Sequence, residues 1–184
     1  MQLVILDRDG VINQDSEDFI KSPDEWRAIP GSLEAIAQLT QSGYRVVVAT
    51  NQSGLARGLF TIDTLTAIHD KMCHALTELG GSIDAIFFCP HGPRDACLCR
   101  KPKPGLFKDI GRRLGINLTG IPAIGDSLRD LQAARAAGAQ PILVRTGKGV
   151  YTESLLADYD FDDIPVYDDL NQAVLHLLKM DEVY

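Results

Sequence analysis

Nothing in the chain approaches the roughly 20 consecutive apolar residues that a helix needs to cross a bilayer. Its start, Met1-Gln2-Leu3, lacks the basic and cleavage regions of a secretory signal. Both absences set the expectation of a cytoplasmic protein. Positive charge is scarce: 18 Lys and Arg face 25 Asp and Glu, a net charge of −7. That balance argues against nucleic acid or an anionic membrane as partner, so cations for an anionic ligand must be concentrated at one place. Linkers, internal repeats and low-complexity tracts are also missing. With 184 residues the chain suffices for one well-buried domain, expected to span 1–184, and is short for two. Cysteine is sparse as well, four in all, yet Cys89, Cys97 and Cys99 fall close together. In a cytosolic chain such a cluster reads as a metal site before disulfides.

What is present alternates. Leu3–Leu6, Tyr44–Ala49, Ile83–Cys89, Ile121–Ile124 and Pro141–Val144 are short apolar or β-branched runs, as parallel strands buried on both faces require. Between them apolar residues recur at helical spacing. Leu33, Ile36 and Leu39 follow Pro30-Gly31-Ser32, and Leu65, Ile68, Met72, Leu76 and Leu79 follow a Thr61 cap. Leu106, Phe107, Ile110 and Leu114 follow Pro104; Leu131, Ala134 and Ala137 follow Ser127; a last helix runs from Asp169 to Lys179. Repeated β-α units predict an α/β fold, a three-layer Rossmann-like parallel sheet with helices on both faces. The insertions Val11–Ile29 and Pro90–Pro102 are too short for a large cap domain, which leaves an open mouth.

Four pieces fall at or just beyond carboxyl ends of the expected strands, where open α/β sheets bind ligands. Asp7-Arg8-Asp9-Gly10 offers two carboxylates flanking one backbone carbonyl, a hard-cation site with a carboxylate nucleophile; loops are rich in Asp in any case. Thr50-Asn51-Gln52-Ser53-Gly54 offers a hydroxyl and successive N–H groups to phosphate oxygens, or is simply a turn. Arg57 could add a cation there or be solvated. Arg100-Lys101-Pro102-Lys103-Pro104-Gly105 restricts the backbone around an ammonium, or is a charged helix entry. Gly125-Asp126-Ser127-Leu128-Arg129-Asp130 sets a carboxylate at a strand end and another about a helical turn on, with helix capping as the plain alternative. His69, His74 and His176 have no companion ligands and are expected in structural positions. Thr146-Gly147-Lys148-Gly149 could reach the site from the last strand or be a plain turn, and the acidic run Asp158–Asp163 reads as solvated loop.

Taken together, the order carboxylate pair, hydroxyl, lysine, carboxylate resembles the haloacid dehalogenase superfamily of phosphotransferases over nearly the whole chain. The resemblance implies Asp7 as nucleophile and Asp9 as general acid/base. It implies Thr50 and Lys101 as phosphoryl-stabilising groups, and Mg²⁺ held by Asp7, the Asp9 carbonyl and Asp126, with Asp130 behind them. A carboxylate nucleophile splits the hydrolysis through an aspartyl-phosphate.

Cys89-Pro90-His91 and Cys97-Leu98-Cys99 form a Cys₃His set suited to tetrahedral zinc, and a closed four-ligand site is structural. This loop, running into Arg100-Lys101-Pro102, narrows the resemblance to the branch that hydrolyses heptose bisphosphate or histidinol phosphate. Thr50-Asn51-Gln52-Ser53-Gly54-Leu55-Ala56-Arg57-Gly58 and Lys101-Pro102-Lys103-Pro104-Gly105 are similar to the heptose enzymes, whereas the short zinc loop is shared with the histidinol enzymes. The resemblance therefore implies a Mg²⁺-dependent phosphatase taking the 7-phosphate from D-glycero-D-manno-heptose 1,7-bisphosphate in ADP-heptose supply for lipopolysaccharide core. Histidinol-phosphate hydrolysis is the alternative, and a catalytically silent phosphate-binding module the alternative of another class. Arg100 is expected on the substrate's second phosphate; Arg8, Asp15, Ser16, Glu17, Asp18, Asn51, Gln52, Ser53 and Arg57 complete the expected substrate rim. A small sugar phosphate is the expected partner, with no nucleic acid or membrane, of a monomer.

Overall fold

A computed structural model describes residues 2–181. Six parallel strands form one sheet: β1 (Leu3–Leu6), β2 (Arg45–Asn51), β3 (Ala85–Cys89), β4 (Pro122–Gly125), β5 (Gln140–Val144) and β6 (Val166–Tyr167). Their order is β3-β2-β1-β4-β5-β6. β1 is the hub, pairing Val4 with Val46 and Leu6 with Val48 on one side, and Ile5 with Ala123 and Leu6 with Ile124 on the other. The chain steps outward from β1 to β3, then returns to lay β4 against the free edge of β1. The crevice beyond β1 and β4 is thus the topological switch point of the sheet.

Side chains on a strand alternate between faces, and the two cores follow that parity. Val4, Leu6, Val46 and Val48 pack with α1 (Ser32–Gln41), α2 (Ile62–Glu78) and α6 (Leu170–Asp181) through Ile36, Leu39, Ile68, Met72 and Val174. Leu3, Ile5, Val47 and Ala49 pack with α3 (Gly105–Leu114) and α4 (Leu128–Ala136) through Phe107, Ile110, Ala133 and Ala134. Each buried Val, Leu, Ile, Met or Phe among these contributes roughly 1.5–3 kcal/mol. Thr61 caps α2 by accepting from the Thr64 N–H at 3.2 Å, and Gly115 closes α3 in the left-handed conformation. Among the described residues no cap domain is inserted between strands and helices; the longest connections are 7–31, which holds a single turn of 3-10 helix, and 90–104. Among the described residues no helix is long and apolar enough to cross a membrane.

Three local expectations change. β3 begins at Ala85, two residues later than expected, and beyond the expected turn, at 146–148, comes a short helix α5 (Gly149–Glu153) that carries no sequence period. The acidic run is not merely solvated. Phe161 is buried with Leu131, Leu143 and Leu156, Arg135 lies 3.9 Å over its ring, and the same arginine bonds the Asp160 carbonyl and, at 2.5 Å, Asp163. That anchored loop delivers the two-residue strand β6.

Candidate active site

The switch-point crevice is a cavity of about 300 Å³ lined by Asp7, Asp9, Thr50, Lys101 and Asp126, with Asp15, Ser16, Glu17 and Arg57, Arg100, Arg129 toward its mouth. β1 ends at Leu6, so Asp7 is the first residue past the sheet, and its N–H is held by the Ile124 carbonyl at 2.9 Å. β4 delivers Asp126 beside it. Two tight backbone approaches make that possible: a Cβ on Gly10 would stand 2.0 Å from Asp126 Oδ2, and one on Gly147 would stand 2.1 Å from the same oxygen. Both glycines have positive φ, so hydrogen is required on two counts at each. The Lys148 N–H then donates to Asp126 Oδ2 at 2.8 Å, and the Thr146 hydroxyl bonds the Gly10 carbonyl at 2.7 Å.

Lys101 reaches in from the third strand's loop and is 2 % exposed. Its backbone is fixed by a reciprocal pair: Lys101 N–H to Asn51 Oδ1 and Asn51 Nδ2 to the Lys101 carbonyl, both 3.0 Å. Its ammonium meets Asp7 Oδ1 at 2.9 Å, the Ala49 carbonyl at 2.8 Å and Asp130 Oδ1 at 2.6 Å, so all three hydrogens are engaged. Asp130 Oδ2 in turn accepts from the Ser127 N–H at 3.0 Å and hydroxyl at 2.7 Å, closing a capping box at the start of α4. Burial opposes the charge on both Lys101 and Asp130. Their mutual attraction wins, raising the lysine pKa and lowering that of Asp130.

The other acids are unevenly served. Burial, then the Asp130 charge, pushes Asp7 up to about 7, against the pull of Lys101. Burial, then Asp130 and Asp7, pushes Asp126 up to about 8. Two acids that resist ionisation side by side in a polar pocket are a site short of positive charge. One carboxylate oxygen from each of Asp7, Asp126 and Asp130 falls within 4.8 Å of the others. Since both Asp130 oxygens are occupied by donors, Asp7 and Asp126 are the pair open to a hard cation, and the donor set fits Mg²⁺.

Asp9 is the opposite case. Burial opposes its charge, but Arg8 and the donors around it hold its carboxyl below the usual range. Arg8 Nε and Nη2 reach Asp9 Oδ1 at 3.1 and 2.8 Å, Asn13 Nδ2 the same oxygen at 3.0 Å, and Gln52 Nε2 reaches Oδ2 at 3.0 Å. Gln52 also donates to Thr50 Oγ1 at 3.0 Å, which leaves the threonine proton for the cavity.

Several expected rim residues take other places. Arg8 is 1 % exposed and is not among the cavity's lining residues; it turns inward, its guanidinium on Asp9 and beside His69 of α2. Asp18 lies outside the cavity, on the outer face of its loop. The Asn51 side chain lines the cavity but is committed to Lys101. Conversely, Arg129, which sequence reasoning gave no role, lines the mouth together with Lys148, whose segment could reach the site from the last strand. Lys148 Nζ pairs with Asp15 at 2.9 Å. Arg57, Arg100 and Arg129 gather on one wall, and none has a carboxylate partner among the described residues. Burial first, then the charge of Arg129, lowers the Arg100 pKa.

Beside this wall, Cys89 Sγ lies 3.8 Å from Cys97 Sγ and 3.1 Å from Cys99 Sγ, and His91 Nδ1 lies 3.6 and 3.3 Å from Cys89 and Cys99. A tetrahedron with metal–sulfur bonds of about 2.3 Å has edges of about 3.8 Å; the Cys89–Cys97 separation matches that edge, the other three are tighter, and the cysteines are free thiols. Burial pushes the metal-free Cys89 thiol up to about 12. The cluster abuts the catalytic-side loop: Arg100 Nη1 donates to the His91 carbonyl at 3.2 Å and Lys103 Nζ to the Cys97 carbonyl at 2.6 Å.

Known proteins match this chain over most of its length. A family model described as polynucleotide kinase 3 phosphatase matches residues 2–126, and a HAD-hydrolase-like model matches residues 98–173. A D-glycero-beta-D-manno-heptose-1,7-bisphosphate 7-phosphatase of Bordetella bronchiseptica is 67% identical over 149 residues, 81% of this chain and 83% of that one. The Pseudomonas aeruginosa protein of the same name is 57% identical over 150 residues, 82% and 84% of the two chains. A crystal structure of the D,D-heptose 1,7-bisphosphate phosphatase from B. bronchiseptica, complexed with magnesium and phosphate, superposes with a TM-score of 0.93 at 60% identity, covering 98% of this chain and 99% of that one. The chain belongs to the D-glycero-beta-D-manno-heptose-1,7-bisphosphate 7-phosphatase family of the haloacid dehalogenase superfamily.

Proposed function

We propose that this chain removes the 7-phosphate of D-glycero-D-manno-heptose 1,7-bisphosphate, releasing heptose 1-phosphate and inorganic phosphate for ADP-heptose and lipopolysaccharide core synthesis. One observation carries the choice of a bisphosphate: a single cavity has an acidic floor, Asp7, Asp9 and Asp126, and a wall of three arginines without carboxylate partners among the described residues. The floor suits the phosphate that reacts. The wall suits the phosphate that stays, because guanidinium forks match phosphate oxygens.

Asp7, the Asp9 carbonyl and Asp126 would hold Mg²⁺, which lets an anionic nucleophile meet an anionic phosphate. Asp7 attacks phosphorus while the bond from phosphorus to the sugar oxygen breaks. Asp9, carrying a proton, gives it to that oxygen. Lys101 and the Thr50 hydroxyl hold charge on the equatorial oxygens. In the second half Asp9, now a carboxylate, takes a proton from the water that attacks the aspartyl-phosphate, which frees phosphate and restores Asp7. The four donors on Asp9 favour its carboxylate, the water-activating form. A dianionic phosphate arriving beside it pushes toward the protonated form that the first half uses. Cys89, His91, Cys97 and Cys99 would hold Zn²⁺, a staple for the loop that presents Arg100 and Lys101.

Phosphate release from the heptose bisphosphate, from heptose 7-phosphate and from histidinol phosphate tests the reading. The bisphosphate is expected to give the highest kcat/KM, by about tenfold or more over either monophosphate, one tenfold step being about 1.4 kcal/mol of lost phosphate contact. A preference for histidinol phosphate overturns it.

A further inference from the structure

One buried pair has no part in the roles above. The Arg8 guanidinium that grips Asp9 also places Nη1 3.1 Å from Nε2 of His69, in the body of α2. Arg8 is 1 % exposed and His69 9 %. Among the described residues, the ring's aromatic neighbour is Phe88 of β3, 6.5 Å between centroids. A guanidinium nitrogen can only donate, so His69 Nε2 is the acceptor and the imidazole is neutral. Burial, then the Arg8 charge, holds the His69 pKa at about 4, in agreement with that protonation state.

Counting donors shows what the histidine does. Arg8 Nε and Nη2 are committed to Asp9 Oδ1. Nη1, sealed from water, has His69 as its side-chain partner, and without an acceptor there a charged donor is left buried and unsatisfied. The guanidinium would then turn to find one, carrying its grip on Asp9 along. We propose that His69 is a positioning residue for phosphoryl transfer: it fixes the plane of Arg8, and through it the carboxyl of Asp9 that serves the leaving oxygen. This rests on the phosphatase reading and on Asp9 as the acid/base. His69 touches no reacting atom.

Leaving-group dependence separates this role from simple stabilisation. kcat/KM reports the steps through cleavage of the ester bond. An alkyl phosphate needs a proton on its departing oxygen, whereas p-nitrophenyl phosphate releases a stable anion. In His69→Leu, kcat/KM on the sugar bisphosphate is expected to fall about 10–100-fold, part of the 10²–10⁴ that a placed acid supplies. On p-nitrophenyl phosphate it is expected to fall less than about threefold, a bound set by the same Brønsted reasoning. His69→Gln, whose Oε1 restores an acceptor, should recover most of the loss. Equal losses on both substrates, or no loss on the bisphosphate, overturn the proposal. If the leucine variant does not fold, His69→Gln against His69→Asn, one methylene shorter in reach, takes its place: the same substrate-selective difference supports the role and its absence overturns it. A wild-type chain inactive on the bisphosphate but active on other alkyl phosphates would sink the substrate assignment alone, and glycerol phosphate then serves as the alkyl ester in the comparison.

Discussion

The acidic floor makes the cation's effect on stability depend on pH, with a sign that can be worked out. Asp7 ordinarily has a pKa of 3.8 and is pushed up to about 7 in the fold, and Asp126 moves from 3.8 to about 8. An acid whose pKa is raised by folding contributes no loss below its unfolded value. The loss grows as pH climbs toward the folded value and levels off above it. At about 1.4 kcal/mol per unit, Asp7 alone costs about 4 kcal/mol at pH 7 in the cation-free protein. Mg²⁺ held by the ionised pair would offset part of that cost. At about 100 times its dissociation constant it adds about 2.7 kcal/mol, which for a chain of this size is about 5–11 °C in Tm. At pH 5, two units below the Asp7 value of about 7 and three below the Asp126 value of about 8, protons weaken apparent binding at least about 100-fold, and the same Mg²⁺ concentration should move Tm by no more than about 1–2 °C. Differential scanning fluorimetry at pH 8 and pH 5, with EDTA-treated protein and a Mg²⁺ titration at each, measures both shifts. A shift as large at pH 5 as at pH 8 would show that these two acids do not hold the ion, and the electrostatic argument would fail.

Asp7→Asn should abolish phosphate release while leaving the protein folded; steady turnover by that variant in a molybdate assay refutes the nucleophile. Gly147→Ala inserts a methyl 2.1 Å from Asp126 Oδ2, so kcat should fall at least about 100-fold, the order expected for misplacing a catalytic group by an ångström; wild-type kcat would mean the loop yields freely. Asp130→Asn leaves the Lys101 ammonium short of a buried partner and should cost about 3–5 kcal/mol in urea unfolding at pH 7. Asp130 has a lowered pKa, so its stabilisation is complete above 3.8 and fades as pH falls below that value; an unfolding penalty that does not shrink there contradicts the pairing. Treatment with a thiol-selective chelator to strip the zinc that this cluster would hold, or Cys99→Ser, should loosen the 90–104 loop and reduce kcat/KM about tenfold or more, roughly one lost positioning contact. Protease nicking and kinetics would read both, and unchanged activity after verified metal loss separates the staple from the site.

Much of this architecture is legible in the chain because the physics is local. A four-residue apolar run ending in Asp-x-Asp announces β1 and its acids, and a stripe at 65, 68, 72 and 76 with a threonine cap announces α2. The two-residue strand β6 and five-residue α5 carry no period to read; they exist because Phe161 and Thr152 are buried by distant partners. Arg8 was misplaced for a related reason: a cation between two acids looks like a ligand-facing loop residue, and only the packing of α2 against the strand ends turns it inward. His69 did leave a signal, since it sits four residues after Leu65 and three before Met72 on the buried stripe. Lys148 left less, because its contribution to Asp126 is a backbone N–H, which any residue carries.

An ammonium whose three hydrogens are all taken cannot welcome a fourth acceptor without releasing one it already holds. Of the three around Lys101, the Ala49 carbonyl and Asp130 are fixtures, while Asp7 is the one that changes character in the proposed chemistry. Esterified to phosphorus, its oxygen loses the negative charge and becomes a weak acceptor, and the hydrogen it surrenders passes to the newly attached phosphoryl group. In that chemistry the lysine would act as an exchange point: its tie to the nucleophile would be traded for a tie to the product of attack, so its preference would shift forward as the covalent bond forms.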